Sequence, residues 1–115
     1  MGKFIKGEIV VLSFPFSDLS GAKRRPALVI ADLEGGDIIL SQITSKAKTD
    51  KYAIELNDSD FSEGKLTAQS VVRPNKIFTA SSDIILYIAC KINDLKTEAV
   101  INGIIDILNN KTENK

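Results

Sequence analysis

The chain has 115 residues, and its 15 Lys and Arg balance its 15 Asp and Glu, so the net charge is zero. A protein held to nucleic acid by bulk charge is usually basic overall, so any such site here must be a local cluster of cations. Histidine is absent, which removes the commonest neutral-pH acid–base group and the commonest transition-metal ligand together. The length suits one domain, residues 1–115, with a modest core. The lone Cys90, flanked by Ile88, Ala89 and Ile92, cannot form an internal disulfide and reads as a small buried hydrophobe in a reducing cytoplasm. Residues 1–6 carry no apolar h-region and no run is long enough to span a bilayer, so neither a secretory leader nor a membrane contact is expected.

In chain order, residues 8–14 hold the run Ile9-Val10-Val11-Leu12 and predict a first strand. A polar link containing Gly21 follows and ends in Lys23-Arg24-Arg25. Pro26 bars Arg25 from the helical region and opens a second strand at residues 27–31. Gly35-Gly36 can take positive φ and turns the chain into a third strand at residues 37–43, giving a meander. A loop with Lys46, Lys48 and Lys51 leads to a fourth strand at residues 52–56. Residues 57–64 read as a capped turn or short helix closed by Gly64. Strands are expected at residues 68–73, ended by Pro74-Asn75, and at 76–79, then a brief helix at 83–86 capped by Ser81 or Ser82. A strand at residues 87–92 precedes a final helix at 95–109, capped by Asn93 or Asp94. There Val100, Ile101, Ile104, Ile105 and Leu108 form one stripe, and Gly103 weakens the helix so that packing must hold it. Residues 109–115 read as a frayed tail. Many short strands with closely spaced turns and a terminal helix point to a mainly β (α+β) fold, a small, strongly bent antiparallel barrel or sheet.

The hairpin through Gly35-Gly36 carries a chemical consequence. Arg25 opens the second strand and Thr44 follows the third, so antiparallel pairing brings a guanidinium and a hydroxyl to one edge. A guanidinium forks onto phosphate through two parallel N–H bonds, and a hydroxyl adds a donor or acceptor to the same oxygens. Such a pair can hold a phosphodiester and stabilise the extra charge of its transition state. The bland alternative is a solvated loop arginine and a threonine bonded to nearby backbone.

Three blocks add a resemblance: the strand–loop–Arg25-Pro-Ala-Leu-Val-Ile30 opening, Leu40-Ser-Gln-Ile-Thr-Ser45, and Gln69-Ser-Val-Val-Arg-Pro-Asn-Lys-Ile-Phe-Thr79. In this order they resemble the MazF/PemK family of toxin–antitoxin toxins. The resemblance implies an SH3-like antiparallel β-barrel with short helices and a C-terminal helix, usually a homodimer. It also implies an endoribonuclease on single-stranded RNA that leaves 2′,3′-cyclic phosphate and 5′-hydroxyl ends. A cognate antitoxin is implied as partner, with DNA reached only through that antitoxin. The arginine and threonine tied to catalysis in the family match Arg25 and Thr44.

RNA supplies its own nucleophile in the 2′-hydroxyl, so the expected reaction needs no metal and no cofactor. Asp18 is a candidate base that nothing else singles out. Substrate contacts are expected from Phe16, Ser17, Lys23, Arg24, Ser45, Lys46, Arg73 and Lys76, with Lys48 and Lys51 nearby. Phe14, Phe16 and Phe78 can stack bases or pack inside, with packing favoured for Phe14, and Arg73 can equally hold a backbone carbonyl. The sequence departs from the family at Lys23-Arg24, Phe78 and Cys90, which bears on base preference and loop mobility. Asp58, Asp60, Glu63 and Lys65 form an acidic cluster that reads as a solvated turn before it reads as a metal site. Rival readings are a CcdB-like gyrase-binding toxin that cuts nothing, and an inactive relative that only binds protein.

Overall fold

The structure, a computed structural model, describes residues 3–14, 23–48 and 50–110. Strands β1 (Glu8–Phe14), β2 (Lys23–Asp32) and β3 (Asp37–Ser45) form the expected antiparallel meander. The turn between β2 and β3 places Gly35 at φ +88° and Gly36 at φ +93°, where an L side chain would be strained. Then come β4 (Ile54–Leu56), β5 (Phe61–Glu63), β6 (Ser70–Ser81), β7 (Ile85–Ile92) and helix α1 (Asp94–Leu108). The strands make one sheet in the order β4-β6-β3-β2-β1-β7-β5.

This order forces curvature. Four inter-strand gaps separate β6 from β7, about 19 Å in a flat sheet. Yet the chain passes from Ser81 to Ile85 through the single 3-10 turn Ser82–Ile84, four Cα steps that reach at most about 14 Å. The sheet therefore curls into a half-barrel, drawing the end of β6 towards the start of β7. The mainly β fold with a C-terminal helix is as the sequence implied.

Curling separates two apolar faces. Ile9, Leu28, Ile43, Leu56, Val72, Cys90 and Ile92 meet Val100 and Ile104 of α1. Val10, Leu12, Ala27, Val29, Ile38 and Leu40 form the other cluster, with Phe4, Phe78, Ala80 and Ile85 packed against it. Burying a β-branched or leucine side chain contributes about 1.5–3 kcal/mol, so these clusters dominate stability. Asn93 caps α1 by accepting from the Lys96 N–H at 2.8 Å.

Several boundaries differ from the sequence reading. β2 begins at Lys23 and carries Pro26 inside it. The two strands expected on either side of Pro74 are one strand, β6, interrupted by a bulge. The ladder to β3 jumps from Ser41↔Ile77 to Gln42↔Arg73, leaving Pro74, Asn75 and Lys76 without β3 partners. A bulge suits a proline because no ladder donor is needed there. The fully buried Ser41 hydroxyl donates to the Arg73 carbonyl at 2.7 Å and satisfies it. Residues 57–64 hold the 3-10 turn Asp58–Asp60 and then β5, and residues 82–84 make a 3-10 turn capped by the Ser81 hydroxyl. Of the expected frayed tail, residues 111–115 lie outside the described residues.

Two glycines differ in what they require. Gly7 (φ +101°) bonds the sheet through its N–H to Val29 and its carbonyl from Ile92, and an added Cβ would stand 3.0 Å from Thr97 Oγ1. Thr97 is itself fixed by donating to the Asn93 carbonyl. At Gly103 a Cβ would meet Ile54 and Pro74 at 3.4–3.7 Å, ordinary contact distance. Gly103→Ala is expected to stabilise the protein by roughly 0.5–1 kcal/mol through helix propensity. Gly7→Ala is expected to cost about 1–3 kcal/mol. Urea unfolding of both variants checks the opposite signs.

Candidate active site

The paired part of β2 and β3 ends at Ala27↔Gln42. Beyond it the strands part. β2 continues along β1, with Pro26 opposite Val11 and Arg25 opposite Leu12. β3 continues along β6, with Ile43 opposite Val72, Thr44 opposite Val71 and Ser45 opposite Ser70. Pro26 has no N–H for a ladder to β3, so it sits where β2 has a neighbour on one side only. A cleft of about 360 Å³ occupies the fork. Arg24, Arg25 and Pro26 line one arm and Ile43, Thr44 and Ser45 the other, with the segment from Leu66 to Ser70 behind.

Continuing the ladder register by two residues puts Arg25 across from Thr44. Both side chains are half-buried, fixed enough to be aimed and open enough to reach a ligand. Among the described residues Arg25 has no carboxylate partner and Thr44 makes no side-chain hydrogen bond. The guanidinium thus faces a solvent-connected cleft with its fork unoccupied. That suits an oxyanion rather than a structural ion pair.

The other expected contacts divide. Lys23, Arg24, Ser45 and Lys46 are exposed around the fork. Lys46 pairs with Glu55 at 3.3 Å, and both ends are half exposed, so the pair contributes little and can be exchanged for a ligand. Lys76 is exposed in the β6 bulge. Phe16 and Ser17, and also Asp18, lie outside the described residues. Phe78, partly buried, packs against the second cluster.

Arg73 is engaged within the fold by an acid. Its Nη2 donates to Asp50 Oδ2 at 2.6 Å, and Asn75 Nδ2 reaches the same oxygen at 3.3 Å. This clasp ties the loop before β4 to the β6 bulge. Sequence reasoning missed Asp50, one acid in a polar loop whose partner is 23 positions away. Reasoning also missed the back wall from Leu66 to Ser70, which carries no periodic signal. The acidic cluster is used structurally: Asp60 accepts from the Asn57 N–H and pairs with Lys96, and Asp58 pairs with Lys65. No group of three His, Cys, Asp or Glu among the described residues is arranged around a common metal position. Burial pushes the Cys90 thiol up to about 11, so it stays protonated and unreactive.

A family model described as PemK-like, MazF-like toxin of type II toxin–antitoxin systems matches residues 5–108. The chain belongs to that toxin family. Its fold is similar to an endoribonuclease in complex with its cognate antitoxin from a mycobacterial species, at 14% identity and TM-score 0.71, covering 92% of this chain and 95% of the other. A second mycobacterial endoribonuclease matches at 18% identity and TM-score 0.66, covering 93% and 91%. The MazE–MazF complex from Deinococcus radiodurans matches at 20% identity and TM-score 0.69, covering 90% and 92%. No curated protein matches significantly.

The hydrogen bond from Arg73 holds the Asp50 carboxyl below its usual range; desolvation opposes it, and bonds from the Tyr52 N–H and the Asn75 side chain add to the lowering. A lowered folded-state value means that this stabilisation is full above about pH 4, the unfolded value, and fades as pH falls through the lower folded one. Asp50→Asn should therefore flatten the acid limb of stability against pH, while Lys46→Ala should leave that limb unchanged. Urea midpoints measured from pH 2.5 to 7 check both.

Proposed function

We propose that this toxin is a metal-independent, sequence-selective endoribonuclease acting on single-stranded RNA. The carrying observation is the fork, where Arg25 and Thr44 line one cleft and neither is engaged by another described side chain. In the reaction, a ribose 2′-oxygen attacks the adjacent phosphorus in line and loses its proton to a base. The bond from phosphorus to the 5′-oxygen breaks, and that oxygen takes up a proton. The products are a 2′,3′-cyclic phosphate and a free 5′-hydroxyl. Arg25 stabilises charge on the non-bridging oxygens and stays protonated throughout, giving the leaving oxygen a hydrogen bond while the proton that oxygen takes up comes from water. Thr44 orients the same phosphate through its hydroxyl. Lys23, Arg24 and Lys46 hold neighbouring phosphates by short-range charge, which a protein of zero net charge must concentrate at one place. Excluding the 2′-hydroxyl from a substrate removes the nucleophile itself.

The toxin acts in the cytoplasm, where a cognate antitoxin covers the fork and keeps RNA out, and it reaches DNA only in that antitoxin's company. The homodimer proposed for it uses the closure seam. Ile84 in the turn after β6 and Leu86, Tyr87 and Ile88 early in β7 are exposed, as is Ile77 on β6, an apolar group larger than isolated surface residues require.

With excess chelator present, single-stranded RNA should be cut, and 2′-O-methyl RNA should not. Arg25→Ala should lower the cleavage rate by about 10²–10³-fold with unchanged circular dichroism, and Thr44→Ala should lower it less. Arg25→Ala cutting at the parent rate would remove the assignment. Chelator abolishing cleavage would remove the metal-free route. No cleavage together with gyrase capture would favour a CcdB-like toxin.

A further inference from the structure

A second cleft, of about 290 Å³, adjoins the first. Leu66, Thr67, Ala68 and Ser70 line both, so the segment between β5 and β6 is a partition with a compartment on each side. This partition is held in place. The Lys46 N–H donates to the Gln69 carbonyl at 3.0 Å, and the Ser70 hydroxyl donates to the Ala68 carbonyl at 3.0 Å. Ser70 pairs with Ser45 of β3 on one side and Leu56 of β4 on the other. The two compartments thus open at strand ends about two inter-strand spacings apart, on the order of 10 Å. That is the scale of one nucleotide, from its phosphate to the far edge of its base.

The chemistry of the two compartments differs in kind. The fork offers guanidinium groups and hydroxyls and suits an anion. The second compartment offers two carboxamides, Asn57 and Gln69, and the Asp58 carboxylate, above an apolar floor from Leu56 and Phe61. Among the described residues no cation lines it; Lys65 pairs with Asp58 at 3.5 Å, both side chains largely exposed. A carboxylate repels phosphate, whereas an apolar floor rimmed by donors and acceptors suits a flat neutral heterocycle. We infer that this compartment binds the base of a nucleotide flanking the phosphate held in the fork, and that it favours bases carrying an exocyclic amine over uracil. Asp58 accepts from the amine, as carboxylates accept from cytosine, and the carboxamides of Asn57 and Gln69 pair with the remaining donors and acceptors of the base edge. The inference rests on the nuclease reading of the fork, and it adds the element of base choice. Selectivity is then built on β4, the Asp58–Asp60 turn and the partition, while the reacting phosphate sits with β2 and β3.

Short 2′-O-methyl RNA oligonucleotides, which bind without being cut, test this. Their bases are varied one position at a time, with affinity read by fluorescence anisotropy and contacts by ¹H–¹⁵N spectra. One position should favour adenine, cytosine or guanine over uracil by about tenfold. The side-chain amide signals of Asn57 and Gln69 should shift together with the backbone amides of Thr44 and Ser45. Asp58→Asn and Gln69→Ala should each level the preference at that position while the shifts at Thr44 and Ser45 persist. If Thr44 and Ser45 shift while the Asn57 and Gln69 side chains do not, the base compartment is refuted and the nuclease reading stands. If no signal moves with any RNA, both fall together. The amide signals are read on the unsubstituted protein, so a variant that misfolds does not decide the outcome.

Discussion

The site depends on a ladder that stops. β2 and β3 are joined by a tight turn at one end and pair as far as Ala27↔Gln42. Had the pairing continued, the positions of Arg25 and Thr44 would be neighbours in a closed sheet with no room between them. Pro26 withholds the donor that continuation would need, and each strand keeps its other neighbour, β1 for β2 and β6 for β3. The arms of the fork are therefore braced from outside, and the described residues leave a cleft between them. A strand braced in this way fixes the backbone from which the Arg25 side chain reaches the cleft.

Curvature supplies the rest of the geometry. A chain of this size buries a modest core, and here one curled sheet carries apolar clusters on both of its faces, one of them packed against α1. The short β6–β7 connection makes the curl obligatory. Apolar side chains are exposed at this connection, Ile84 in the turn and Leu86 just beyond it. The Arg73–Asp50 clasp belongs to this frame too. It fixes the loop after β3 against the β6 bulge, and through that loop the position of Lys46 beside the fork.

The sequence shows the elements more clearly than their junctions. The apolar runs of β1 and β3 and the stripe of α1 are visible because burial imposes a period on the chain. Gly35-Gly36 is visible because the turn demands positive φ. The fork is only half visible. Pro26 reads as the start of a strand, and it is a break in pairing within a longer strand beginning at Lys23. Pro74 likewise reads as a stop and proves to be a bulge, because the buried Ser41 hydroxyl satisfies the carbonyl that the interrupted ladder leaves. Which arginine remains open to a ligand is set by long-range pairing. Arg73 and Arg25 both precede a proline in sequence, but only Arg73 finds an acid across the fold among the described residues. Of the partition, the sequence shows only its end, where a strand is expected from residue 68, and nothing local marks Leu66 and Thr67 as the wall of a cleft.

An opening made by omitting backbone bonds differs from one made by hollowing out side chains. No residue of either apolar cluster is missing from beneath the fork, and Leu28 and Ala27 remain fully enclosed just below it. The cleft and the core thus draw on neighbouring residues of the same two strands, with Ile43 shared between them. A substitution at the tips of the arms would therefore change the cleft and leave the packed ends of the same strands, which hold the molecule folded, untouched.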